Sequence, residues 1–261
     1  MASATRYPWQ AYSPGCALSE SSPQRFEPDG LLADLARLQA QWGPGGPPRF
    51  VQPGWSAIGL HGRHGDVLDD HVAEDPRDYR ATEAVSLAPH VARCMAWLRE
   101  HGCALQRVRL SILQPGELIS WHWDSRRYRL RPDEDNELRL HIPVITSADV
   151  CFRIGPERVR MNPGELWLCE VAFPHQVYNG GDQARVHLLA DCRAPWSFVA
   201  SMFPALAAAR ARAEVQARLS EYYERARADV IAYRLRFGDE EEQRERARLE
   251  FERGEFSRGA A

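Results

Sequence analysis

Leu118-Ile119-Ser120-Trp121-His122-Trp123-Asp124 reads as a β-strand, because aromatic and branched residues crowd seven positions that follow a turn. Strand side chains alternate between faces. His122 and Asp124 therefore project to one side, while Trp121 and Trp123 pack on the other. Gln114-Pro115-Gly116-Glu117 places Pro and Gly where a chain reverses. Residues 108–113 and 118–124 are accordingly expected to pair as a hairpin.

Working outward, a second histidine stands in Phe173-Pro174-His175, at the mouth of a strand over 176–179. Gly180-Gly181-Asp182 turns the chain again into a strand over 184–191 that carries Arg185. Two histidines and one carboxylate can occupy one face of an octahedral ferrous ion and leave the other face open, the facial triad of non-haem Fe(II) oxygenases. A bare HxD is weak evidence by itself. Here it is joined by a distal histidine and by an arginine whose forked donors suit the far carboxylate of 2-oxoglutarate. Zinc is the rival metal, but a structural zinc site takes four ligands, mainly Cys and His at short spacing, and none of the six cysteines forms a CxxC pair.

Further blocks carry a resemblance. Ser111-Ile112-Leu113-Gln114-Pro115-Gly116-Glu117-Leu118-Ile119-Ser120-Trp121-His122 is followed by Leu138-Arg139-Leu140-His141-Ile142-Pro143 and Pro163-Gly164-Glu165-Leu166-Trp167. Then come Pro174-His175-Gln176-Val177-Tyr178-Asn179 and Ala184-Arg185-Val186-His187-Leu188. In this order and spacing they resemble the aspartyl/asparaginyl β-hydroxylase family, Fe(II)/2-oxoglutarate oxygenases on a double-stranded β-helix that include bacterial cis-proline hydroxylases. The resemblance runs over about residues 107–192.

It implies that His122, Asp124 and His175 are the catalytic metal ligands. It also implies that Arg185, helped by Ser111, binds the distal carboxylate of the cosubstrate, with Arg139 and His141 near its metal-binding end. Strand alternation agrees independently, since Arg139 and His141 share one face and Leu138, Leu140 and Ile142 the other. Vertebrate members carry a non-ligating residue where Asp124 stands, so the complete triad places this chain nearer the bacterial branch and away from epidermal-growth-factor-like domain substrates.

The implied reaction is hydroxylation of an unactivated carbon by Fe(II), 2-oxoglutarate and O2, with succinate and carbon dioxide as coproducts. The substrate class is an amino acid of Asp, Asn or Pro type, free, carrier-tethered or within a peptide. Arg126, two residues beyond Asp124 on an extended face, is a candidate for a substrate carboxylate, and Trp55 for an apolar pocket wall. Two other readings use the same residues: a jelly-roll metal-binding protein that senses a small acid without turnover, and a cupin enzyme with another divalent metal and non-oxidative chemistry.

The rest of the chain fits an α+β fold, mainly β. Residues 1–104 form an N-terminal arm with bracing helices, 105–200 a double-stranded β-helix (jelly-roll, cupin-like) catalytic core, and 201–261 a C-terminal helical extension. Residues 1–28, rich in Ser and Pro, read as an irregular arm. Leu31, Leu32, Leu35 and Leu38 repeat at helical spacing and stop at Gly43-Pro44-Gly45-Gly46, and a second helix over 89–100 is stopped by Gly102. Residues 55–60 suggest a short strand and 61–80 a polar loop in which His61, His64 and His71 are solvent-exposed. His187 shares the face of Arg185 inside the barrel, and residues 133–136 are a solvated loop. The Ala- and Arg-rich stretch 203–237 calls for one or two long helices, and after Gly238 a charged helix resumes. That extension is expected to be a docked, solvated helix, with a lid or a homodimer contact as the alternatives.

The chain has 261 residues, 44% of them hydrophobic, and a net charge of −3. That is enough for one large β domain with appendages, and it offers nothing to nucleic acid or an anionic membrane. No window approaches a membrane span and no leader pattern opens the chain. The scattered cysteines suggest reduced thiols and a cytoplasmic setting.

Overall fold

A computed structural model describes residues 7–43, 50–68 and 75–254. The strands, in chain order, are β1 (Ser19–Arg25), β2 (Phe50–Gln52), β3 (Trp55–Arg63), β4 (Tyr79–Ala81), β5 (Ala104–Leu113), β6 (Leu118–His122), β7 (Asn136–Ile145), β8 (Val150–Ile154), β9 (Glu157–Val159), β10 (Glu165–Cys169), β11 (His175–Asn179) and β12 (Arg185–Ala194). The helices are α1 (Pro28–Trp42), α2 (Pro89–Glu100), α3 (Trp196–Met202), α4 (Pro204–Arg210), α5 (Ala213–Arg236) and α6 (Glu240–Glu252).

Two antiparallel sheets face each other as a jelly-roll. The major sheet runs β1-β10-β7-β12-β5-β3-β2 with β4 added beside β3, and the minor sheet runs β6-β11-β8-β9. The expected hairpin between residues 108–113 and 118–124 does not form. β5 pairs with β3 and β12, whereas β6 pairs with β11. The Pro-Gly turn does reverse the chain, but it hands it from one sheet to the other. Gln114 N–H donates to Gly54 on the major-sheet side at 2.9 Å, and Gly116 N–H donates to Asn179 on the minor-sheet side at 2.7 Å. Gly116 makes the step in the left-handed region, at φ +75.

The major sheet separates an oily outer face from a polar inner one. Val108, Leu110 and Ile112 of β5, Leu138, Leu140 and Ile142 of β7, and Val186, Leu188 and Ala190 of β12 join one buried apolar cluster with α1 to α4. The alternate residues of those strands point inward. α1 and α2 are keyed together by Asp34, a fully buried side chain that accepts the backbone N–H groups of His90 and Val91 at 2.7 and 2.8 Å. This carboxylate satisfies amides that a helix leaves unpaired at its start.

Residues 1–28 are not an irregular arm throughout. Ser19–Arg25 forms the edge strand β1 on β10. A single turn of 3-10 helix at Pro8–Gln10 buries Trp9 completely, against Trp121 and Tyr233. His61 is likewise not a loop residue: it lies in β3, buried, with its Nδ1 2.5 Å from the Gln106 carbonyl. His64 follows the strand, and His71 lies outside the described residues. The 133–136 loop is tied down by Asn136, which is buried and whose Nδ2 donates to the carbonyls of Arg131 and Glu134.

The C-terminal helices cover the minor sheet. α5 buries Val215, Leu219, Tyr222 and Val230 in a second apolar cluster with Trp121, Val171 and Phe173. α6 lies along β6, with Ala247 and Phe251 against Leu118 and Tyr178. Its Glu250 is buried and accepts from Tyr7 Oη at 2.7 Å and Arg153 Nη1 at 3.2 Å, which ties both ends of the chain to β8. All six cysteines are free, and among the described residues no helix is long and apolar enough to cross a membrane.

Candidate active site

β6 ends at His122, and β11 begins at His175 directly across from it. Their ring centroids are 4.0 Å apart. Two residues on, the backbone N–H of Asp124 donates to the Val171 carbonyl at 2.8 Å, which holds the carboxylate beside both rings. One donor atom from each of His122, Asp124 and His175 can be chosen so that all three lie within 4.8 Å of one another.

The hydrogen bonds around these residues leave the correct atoms free. Nδ1 of His122 lies 2.7 Å from the Ser120 carbonyl and Nδ1 of His175 lies 2.9 Å from the Phe173 carbonyl. A carbonyl only accepts, so each Nδ1 carries the proton and each Nε2 keeps its lone pair, the arrangement common around histidine metal ligands. Burial, aided by His122, depresses the His175 pKa to about 3, so the ring is neutral at ordinary pH. His122 is depressed as well, by burial first and then by the cations Arg139 and Arg234. Burial opposes ionisation of Asp124, but Arg139 and the two histidines outweigh it and bring its pKa down to about 2. The donor set is therefore two neutral imidazoles and one carboxylate, which suits a ferrous ion.

The three long strands of the major sheet line the rest of the cavity, whose volume is about 450 Å³. Their register sets Ser111 beside His187, Leu189 between Arg109 and His141, and Asp191 beside Arg139. Arg139 bonds Asp191 through Nε at 2.6 Å and grips Asp124 with Nη1. Its donors thus orient a proposed ligand. Asp191 also receives Arg107 at 2.7 Å, with Arg109 at 4.0 Å. Deeper in, Arg185 is 2% exposed, and among the described residues it has no carboxylate partner and an unbonded Nε. Both ring nitrogens of His141 are buried and have no hydrogen-bond partner among the described residues.

Trp55 lines the same cavity and donates Nε1–H to Ser111 Oγ at 2.9 Å. Arg126 does not. The strand stops at His122, Ser125 Oγ caps a 3-10 turn, and Arg126 points outward to Glu224 at 3.8 Å. Sequence reasoning also passed over Arg107, Arg109 and Asp191, although their period-two spacing with Ser111 and His187 was a usable signal. Arg234 and Glu240, at the α5–α6 junction, line the cavity too, and nothing in their local sequence indicates it.

The family model described as aspartyl/asparaginyl β-hydroxylase matches residues 35–195, more than half of the chain. The chain belongs to this family. As an aspartyl/asparaginyl β-hydroxylase family member it is an Fe(II)/2-oxoglutarate-dependent oxygenase, which decides against the sensor and non-oxidative readings. No curated protein matches the chain. Solved structures similar to it include a Pseudomonas putida prolyl-4-hydroxylase, at 16% identity over 68% of this chain and 92% of that one, with a TM-score of 0.40. HygX from Streptomyces hygroscopicus, with nickel and 2-oxoglutarate bound, aligns at 12% identity over 72% and 86%, with a TM-score of 0.44. A Trichoplax adhaerens prolyl hydroxylase in complex with a hypoxia inducible factor peptide fragment aligns at 11% identity over 73% and 94%, also at 0.44.

Proposed function

We propose that this protein hydroxylates an unactivated carbon of an amino-acid substrate, using Fe(II), 2-oxoglutarate and O2 and releasing succinate and carbon dioxide. The observation that carries this reading is the pairing of the His122, Asp124 and His175 donor set with Arg185, a buried guanidinium that has no carboxylate partner among the described residues, in one cavity. A cation buried without a counter-charge is costly, and a dicarboxylic cosubstrate reaching inward from the metal would relieve that cost.

His122, Asp124 and His175 would hold the iron, Arg185 and Ser111 the distal carboxylate. His141, neutral because burial and then Arg185 disfavour its protonation, would stand beside the cosubstrate as a polar wall. Bound there, iron and 2-oxoglutarate would supply the oxidising chemistry, one oxygen atom of O2 going to succinate and the other to the substrate carbon. Arg139 keeps Asp124 ionised and aimed. Ile119, Phe152, Val177 and Trp55 give that cavity its apolar side. Asp, Asn and Pro side chains are the first candidates for substrate, by family analogy.

The test is aerobic incubation with Fe(II), 2-oxoglutarate and a panel of the twenty amino acids and short peptides. Substrate-dependent succinate that His175→Ala abolishes is the expected result. Succinate that survives this substitution would overturn the assignment.

A further inference from the structure

Two walls of the cavity differ in origin. The metal donors, Arg185, Arg139 and Trp55 all fall within the family-matched residues 35–195, whereas Arg234 and Glu240 come from the C-terminal helices beyond it. Arg234 stands in the last turn of α5, and Glu240 is the first residue of α6.

The elbow between them is built firmly. Phe237 is packed against Tyr233, with ring centroids 5.2 Å apart, and lies under the Arg246 guanidinium at 4.3 Å. Asp239 accepts the Glu241 N–H at 2.8 Å, and the buried Gln243 donates to the Phe237 carbonyl. Glu250 anchors α6 further along. Both Arg234 and Glu240 are exposed, and among the described residues neither has an ion-pair partner, including the other.

We infer that Arg234 and Glu240 select a free amino acid as the substrate, Arg234 taking its α-carboxylate and Glu240 its α-ammonium. The inference rests on the oxygenase reading and narrows its substrate class. One unpaired cation and one unpaired anion on a single rim match a zwitterion. A residue inside a peptide has neither free group, and an acyl group tethered to a carrier has lost its carboxylate. The cavity is also at the small-molecule end of the usual range, roughly 300–1,000 Å³, and must admit the cosubstrate as well.

The test is equilibrium binding to the full-length protein loaded with Ni(II) and 2-oxoglutarate, which cannot turn over. The probes are the twenty free amino acids, then the N-acetyl and carboxamide derivatives of the tightest binder. The free amino acid should bind about tenfold or more tightly than either derivative. Arg234→Ala should weaken the free amino acid about tenfold and leave the carboxamide unaffected, while Glu240→Gln should do the same with respect to the N-acetyl derivative. Derivatives that bind as well as the free form would overturn the inference, as would variants that weaken both forms equally. So would failure of every amino acid to bind while 2-oxoglutarate binds. Failure of 2-oxoglutarate itself to bind the wild-type protein would overturn the oxygenase reading and this inference with it.

Discussion

Arg185 and His187 stand two residues apart on β12, with the guanidinium Nη2 2.8 Å from the imidazole Nδ1. A guanidinium only donates, so Nδ1 accepts and the proton of His187 sits on Nε2, which has no partner among the described residues. The histidine orients the cation without neutralising it. Burial alone brings the Arg185 pKa down to about 9.

Arg185→Met should therefore separate function from stability. Binding of 2-oxoglutarate, measured anaerobically with Fe(II), should weaken by about 2–3 kcal/mol, the scale for losing a charged hydrogen-bonded pair. The Tm of the ligand-free protein should hold or rise, because an uncompensated buried charge has been removed. Intact affinity together with a depressed Tm would make Arg185 a structural residue.

Asp124→Gly should lower iron affinity and turnover together, since it takes an anion from the side of a dication. Arg139→Gln, which frees the Asp124 carboxylate without removing it, should cost about 10–100-fold in iron affinity. Metal titration of both variants checks the order. Near-wild-type turnover in Asp124→Gly at saturating iron would leave His122 and His175 as a two-histidine centre.

Glu157 offers a pH test away from the metal. Burial, only partly offset by the Leu18 N–H and Ser19 hydroxyl that it accepts, raises its pKa from 4.5 to about 7. Between those values the folded protein holds a proton that the unfolded chain has lost, so this group's contribution falls as pH rises through the window. Glu157→Gln keeps an acceptor for Leu18 and should flatten the slope, with a higher Tm than wild type above about pH 7. A Tm–pH curve parallel to wild type would refute it.

Arg210 and Glu170 form an ion pair that is wholly buried, 0% and 1% exposed. Glu170 also accepts the Leu130 N–H at 2.9 Å, so the pair links α4 to the loop before β7. Arg210→Ala leaves a buried carboxylate unpaired and should destabilise the fold by about 3–5 kcal/mol, read by denaturant unfolding. A loss below about 1 kcal/mol, the ordinary value of an exposed pair, would mean that water reaches Glu170.

What could be read from the chain followed from local physics. α1 and α2 announced themselves through leucine and valine spacing and their Gly and Pro stops. Strand alternation suggested one side for His122 and Asp124, and the structure does bring both beside His175, although β6 ends at His122 and the Asp124 N–H bond to Val171 places the carboxylate. What could not be read depended on partners. Ser19–Arg25 has no apolar alternation, and the strand exists because β10 offers it an edge. His61 sits among loop-like residues and is buried by the β3–β5 pairing. Arg126 was misplaced because the strand stops at His122 and a 3-10 turn capped by Ser125 takes over at Arg126. Arg234 and Glu240 belong to helices whose alternating charge is ordinary for a solvated face, and only the docking of α5 and α6 on the minor sheet brings them to the cavity.

The transfer of the chain between sheets at Gln114–Glu117 has a kinetic consequence. β6 cannot zip onto its sequence neighbour β5. It must wait for β11, whose His175 lies far along the chain, before His122 gains its counterpart. Pairing across such a separation meets a loop-closure entropy that a hairpin with β5 would not. Divalent metal tests that order: if the cluster closes after the transition state, metal should slow unfolding and leave the refolding rate almost unchanged.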